Sequence, residues 1–114
     1  MPTLIIQTNV ETPIKRRKVI LEAISAAVAE ALGKPERYVM IILKSNPDML
    51  FGTDDAPMAY LELKSLGLPE ANTPALSERL CGLMDRHLGI PASRVYIEFA
   101  SPPRHLFGWD GGTF

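Results

Sequence analysis

Few residues of this 114-residue chain offer chemistry, and the one in an unusual place is Pro2. Met1-Pro2-Thr3-Leu4-Ile5-Ile6-Gln7-Thr8-Asn9 reads as a strand that begins almost at the first atom. Proline is tolerated at the head of a strand, where its missing N–H costs no ladder bond. If Met1 is removed, Pro2 becomes a secondary amine held in a fixed place, which can serve as a general base. The other candidates are ordinary. Cys81 sits among helical apolar residues and reads as a small buried hydrophobe rather than a nucleophile. His87 falls on a helix; His105 lies in the C-terminal tail, somewhat better placed to line a pocket. Asp54-Asp55 reads as a solvated loop. The sequence holds no Gly-rich phosphate loop, no cluster at metal-ligand spacing and no nucleophile–base motif, so it calls for no cofactor and no metal.

The elements that must position Pro2 follow from periodicity. Thr12-Pro13 has the form of a helix start, an N-cap followed by proline in the first turn. Ile14, Leu21, Ile24, Val28 and Leu32 then recur at helical spacing, with Ala23, Ala27 and Ala31 widening the face. Gly33 and Pro35 stop the helix. Lys15-Arg16-Arg17-Lys18 reads as a solvated face. Tyr38 to Leu43 is a continuous apolar run of strand length, expected to be covered on both faces. Ser45 to Pro57 is a loop, with Met49, Leu50 and Phe51 suggesting that part of it packs. Met58 to Leu66 is a third strand, with Leu61 and Leu63 on one face and Tyr60, Glu62 and Lys64 on the other. Thr73-Pro74 starts a second helix carrying Leu76, Leu80, Leu83 and Leu88, closed by Gly89. Val95 to Phe99 is the fourth strand.

Placing Leu32-Gly33-Lys34-Pro35 over Leu88-Gly89-Ile90-Pro91 also brings Val39 over Val95. The chain is therefore an internal repeat of two β-α-β units, read as one domain over residues 1–114. The fold class is α+β, a two-layer arrangement with a four-stranded sheet and two helices on one face. Helical crossovers pair the strands of each unit in parallel. Two helices cover one face only, and an apolar face left open marks an association surface, so an obligate oligomer is expected. The tail, Ser101 to Phe114, carries Leu106, Phe107, Trp109 and Phe114 and is expected to pack on a neighbouring subunit. Net charge is −1, with no electrostatic case for nucleic acid or an acidic membrane surface. No run approaches the roughly 18 apolar residues of a membrane span, and the first residues do not resemble a signal peptide. A cytoplasmic location is the default, with export lacking a signal peptide left open.

Several motifs then occur in one order along the chain: Thr8-Asn9, Gly33-Lys34-Pro35, Met49-Leu50-Phe51-Gly52, Ser65-Leu66-Gly67, Leu80-Cys81-Gly82-Leu83, Arg94-Val95-Tyr96-Ile97 and Gly108-Trp109. With Met1-Pro2 they resemble the macrophage migration inhibitory factor family of the tautomerase superfamily. The resemblance implies a homotrimer whose sheets wrap into a central barrel, with active sites at the subunit interfaces. It implies cofactor-independent keto–enol tautomerisation of a small keto or enol acid, of the phenylpyruvate tautomerase kind, with Pro2 as base. By the same resemblance Lys34 holds the substrate carboxylate and Ser65 and Leu66 line the pocket. Tyr38 forms a wall, and Tyr96 comes from the neighbouring subunit. Two bland readings stand beside these: Lys34 as a helix C-terminal dipole contact, and Tyr96 as interface packing.

Three departures from the animal members bear on function. Glu98 replaces an asparagine and by strand alternation shares a face with Tyr96, which points it into the implied site. Phe107 replaces a smaller aliphatic residue at the pocket rim. Met58-Ala59-Tyr60-Leu61 stands where animal members have Cys-x-x-Cys, removing thiol oxidoreductase chemistry. The competing reading is a cytokine-like signalling protein with a vestigial pocket. A receptor partner has little support, because an arginine used in receptor contact is absent near Thr12-Pro13 and Asn46 stands for its acidic partner.

Overall fold

The computed structural model describes residues 1–114. Strand β1 spans Thr3–Thr8, helix α1 Ile14–Leu32, strand β2 Met40–Ser45 and strand β3 Ala59–Lys64. Helix α2 spans Thr73–Leu88, strand β4 Val95–Ala100, and a small hairpin pairs β5 (Gly108–Trp109) with β6 (Gly112–Thr113). The main sheet has the order β2-β1-β3-β4. Each repeat pairs its strands in parallel, β1 with β2 and β3 with β4, and the two repeats join through antiparallel β1 and β3. The repeat holds in detail. Gly33 and Gly89 both end their helices in the left-handed conformation, at φ 63° and 68°. Pro35 and Pro91 each then lead into a 3-10 turn that delivers the chain to the next strand.

Alternation along the strands separates two faces. Leu4, Ile6, Leu61 and Leu63 point to the helices and form one core with Ile24, Val28, Leu76, Leu80 and Met84. The other face carries Ile5, Ile42 and Met40 alongside Tyr60, Glu62, Tyr96 and Glu98, paired in register across the strands. Met40 is 59% exposed and Tyr96 65%.

Several local expectations need correction. Neither threonine caps its helix through its side chain. Thr12 is buried with its hydroxyl unpartnered, while its carbonyl accepts a bond from Arg17 Nε at 2.8 Å. Arg17 is therefore not simply solvated. Thr73 donates its hydroxyl to the Glu70 carbonyl, because a 3-10 turn over Glu70–Asn72 precedes the helix and supplies that acceptor. Ile14 is 79% exposed, since Pro13 fixes the entry before the helix reaches the sheet; Ile20 takes its place in the core. Met84, with no exposure, joins the core, while Leu83 packs at its margin. The second strand begins at Met40, not Tyr38, and is covered on one face only, because both helices pack on the same side of the sheet.

The 45–57 loop is held from both sides. Asn9 donates to the Asp55 carbonyl and accepts from Met58 N–H, while Thr8 Oγ1 donates to the Met58 carbonyl. Arg94 donates to the carbonyls of Phe51, Asp54 and Ala56 and lies 5.0 Å over the Phe51 ring. Phe51 in turn packs on Tyr96, with ring centroids 4.6 Å apart. Leu50 is 73% exposed and takes no part in that packing.

Candidate active site

Pro2 is buried at the head of β1, and its carbonyl accepts a hydrogen bond from Met40 N–H at 3.0 Å. Continuing the β1–β3 register one step beyond Thr3 and Lys64 sets Pro2 opposite Ser65. Ser65 is 1% exposed; its N–H donates to the Ala100 carbonyl, and its hydroxyl has no partner. Burying a hydroxyl without a hydrogen bond costs about 1–3 kcal/mol, a cost Ser65 shares with Thr12. Leu66, 5% exposed, follows it. Lys34 is placed by the left-handed Gly33 that ends α1, and its N–H donates to the Ala29 carbonyl. In the second repeat the equivalent position is Ile90, fully buried; the first repeat puts a cation there instead.

The electrostatics of the chain head are cationic. Its amino group is held below its ordinary value of 8.0, first by burial and then by the positive charges of Lys34 and Arg104. Neither cation makes an ion pair; the chain's two pairs are Lys18–Glu22 and Arg79–Glu30. With Met1 attached, the Pro2 nitrogen is a tertiary amide with no basic lone pair. Its removal transfers the free amine to proline.

Tyr38 has Arg37 4.6 Å above its ring and the Trp109 edge at 5.8 Å. The tail reaches Tyr38 within its own chain. The β5–β6 hairpin turns it back, Trp109 stacks on Phe114 at 6.1 Å, and Phe114 N–H donates to the Phe107 carbonyl. Phe107 is half-buried in this aromatic group, while His105 is exposed.

Tyr96 and Glu98 are not brought to Pro2. Tyr96 pairs with Tyr60, which pairs with Gln7, so it lies level with a point five positions (7 − 2) up β1 from Pro2. At strand rise that is about 17 Å. Both side chains also lie on the open face, whereas Pro2 continues the buried, helix-facing row of Leu4 and Ile6. Glu98 accepts a hydrogen bond from the Tyr60 hydroxyl at 2.9 Å; Glu62, directly opposite Glu98, is 3.5 Å from the same hydroxyl. The bond to Glu98 favours the neutral phenol and pushes the Tyr60 pKa up. Arg104 is the residue that sequence reasoning passed over. It is the one lysine or arginine of the apolar tail, and that was the available signal.

Two β-α-β units laid on one sheet, with a proline buried at the head of the first strand, define the fold of the tautomerase superfamily. The family model for macrophage migration inhibitory factor matches residues 1–114. A macrophage migration inhibitory factor homolog of Brugia malayi is 38% identical over 117 residues, covering 100% of this chain and 99% of the relative. Macrophage migration inhibitory factor of Xenopus tropicalis is 33% identical, with the same coverage. The crystal structure of the Prochlorococcus marinus homologue superimposes with a TM-score of 0.91 at 41% identity, over 98% of each chain. This chain belongs to the macrophage migration inhibitory factor family.

Proposed function

We propose that the protein is a cofactor-independent keto–enol tautomerase resembling phenylpyruvate tautomerase, one domain over residues 1–114. The observation that carries the proposal is the buried Pro2 beside an unpartnered Ser65 hydroxyl, at a chain head whose amine is held below its ordinary pKa. After Met1 removal the neutral proline nitrogen takes the proton from the carbon α to the keto group. The C–H electrons form the enol double bond, and as the carbonyl π bond opens its oxygen takes a proton from solvent water, while the prolinium releases to solvent the one it removed. Reversal through the same nitrogen restores the ketone. Lys34 draws the substrate carboxylate to the base, while Tyr38, Ser65, Leu66 and Phe107 line the pocket. The assay is interconversion of enol and keto phenylpyruvate by the chain lacking Met1, with the Pro2→Gly variant alongside. Activity that the substitution leaves undiminished overturns the proline mechanism.

The proposal includes a homotrimer in which the open faces wrap a central barrel and a neighbour supplies Tyr96 and Glu98. Its support is the separation of Tyr96 from Pro2 within one chain, together with the exposed Met40 and Tyr96 on the open face. Sedimentation should give about three times 12.6 kDa; a species at the single-chain mass overturns it. A cytoplasmic location belongs to the same reading and rests on the sequence. A cytokine-like role is supported by the names of the relatives alone.

Glu98 sets a limit on substrates. A carboxylate about 4 Å from the substrate's own would cost between about 1 and 4 kcal/mol according to screening, and Glu98 is exposed, which favours the lower figure. Glu98→Asn is therefore expected to raise kcat/KM for phenylpyruvate about fivefold, since about 1.4 kcal/mol is tenfold. An unchanged value would show that Glu98 faces away from the substrate.

A further inference from the structure

The sheet order places β1 between β2 and β3, with β4 beyond β3. The tail starts at the far end of this row and finishes at the near end. At its start, the Ala100 carbonyl accepts from Ser65 N–H at 3.0 Å, and Ser101 Oγ accepts from Leu68 N–H at 3.3 Å, both at the end of β3. At its finish, Trp109 meets Tyr38, two residues before the Met40 that bonds the Pro2 carbonyl. To pass from β4 to the β2 side, the segment between must cross the head of β1, where Pro2 lies. Arg104 sits in that crossing segment, in a 3-10 turn closed by Leu106 N–H to the Pro103 carbonyl and Phe107 N–H to the Arg104 carbonyl. Pro102 and Pro103 precede it and stiffen the approach.

Arg104 is exposed, and its guanidinium has neither a carboxylate partner nor a hydrogen bond to any carbonyl. Arg94 and Arg17, by contrast, spend their guanidinium groups on backbone carbonyls. Two unpaired cations, Lys34 from the end of α1 and Arg104 from the tail, therefore flank the chain head from different sides. Their influence on the amine beside them agrees with this placement.

We propose that Arg104 is a substrate-binding residue of the Pro2 site: its guanidinium, together with Lys34, holds the carboxylate of a 2-keto acid over the proline. The inference rests on the tautomerase reading and names its substrate class as an anionic keto acid. The division of labour follows from side-chain chemistry. Lysine supplies a compact point charge, whereas the planar guanidinium offers two parallel N–H donors to a carboxylate and so fixes its orientation. A second cation on this side also counters the carboxylate that Glu98 brings from the neighbouring subunit.

The test compares parent, Arg104→Gln and Arg104→Lys chains on phenylpyruvate and on its uncharged methyl ester. A charge-assisted hydrogen bond contributes about 1.5–3 kcal/mol, and exposure takes the lower end, so Arg104→Gln should lower kcat/KM for the acid about tenfold, mainly through KM. The ester should change less than about twofold on the same principle, and Arg104→Lys, which keeps the charge but loses the paired donors, should recover only part of the loss for the acid. Equal losses for acid and ester, or no loss for either, overturn the proposal. Binding is read separately through fluorescence of Trp109, the chain's one tryptophan. Arg104→Gln should weaken phenylpyruvate binding about tenfold whether or not the protein turns it over. A parent whose activity Pro2→Gly leaves undiminished fails the tautomerase reading; unchanged binding in Arg104→Gln fails this one.

Discussion

Pro2→Gly is expected to lower kcat/KM for phenylpyruvate by about a hundredfold, and a chain that retains Met1 by about ten-thousandfold, the two ends of the range for a positioned general base. The difference is chemical. Glycine at the chain head still carries an amine, but a mobile one, no longer locked by a ring buried in line with Leu4 and Ile6. Retained Met1 leaves an amide at position 2 and removes the base altogether. Intact mass measured on each preparation assigns the activity to one form. The pH dependence follows from the same group. The active amine is neutral, so kcat/KM should rise with pH through its pKa and then level off; in the chain that retains Met1, burial, Lys34 and Arg104 already disfavour a protonated amine at this chain head. Lys34→Ala removes one of those cations and should move the acidic limb towards higher pH; a limb that stays in place would separate Lys34 from the base. In the chain that retains Met1, the folded state binds the amino-terminal proton less readily than the unfolded chain, so this amine makes the protein slightly less stable as pH falls below 8.0.

The second large effect is on stability. Leu61→Ala should destabilise the fold by about 3 kcal/mol, a substantial part of the ~5–15 kcal/mol total of an ordinary domain. Leu61 lies in the middle of β3 with no exposure, facing the helices between Ala59 and Leu63. Truncation leaves a cavity that neither β1 nor β4 can close, since both are hydrogen-bonded to β3 in register. The midpoint of thermal unfolding should fall by roughly 10 °C or more. Leu50→Ala is the comparison: at 73% exposure it should change stability by less than about 0.5 kcal/mol. Similar losses at both positions would show that the core assignment of β3 is wrong.

Most of the fold was legible because its signals are local. The helix periodicity, the glycine–proline stops and the alternation in β3 each depend on residues within a few positions of one another. The repeat was legible because both halves solve the same problem with the same αL glycine and following proline. The helix starts were misread for a local reason as well. A Thr-Pro pair is a good cap in isolation, yet Thr73 found an acceptor in the preceding turn and Thr12 was buried. The edge position of β2 was not legible, because strand order depends on pairing across the whole chain.

Sequence by itself determined that a proline heads the first strand, that two β-α-β units follow, and that Lys34 comes directly after the glycine that closes the first helix. These rest on short-range rules and on motifs in a fixed order. Tertiary structure alone decided what surrounds the proline. It set Ser65 opposite Pro2 with an unpartnered hydroxyl, turned the tail back on its own chain and drew Arg104 to the chain head. It also placed Tyr96 and Glu98 on the open face, away from Pro2. Pro2 and Ser65 lie opposite each other because the two repeats share one sheet, an arrangement set by burying both helices on the same face.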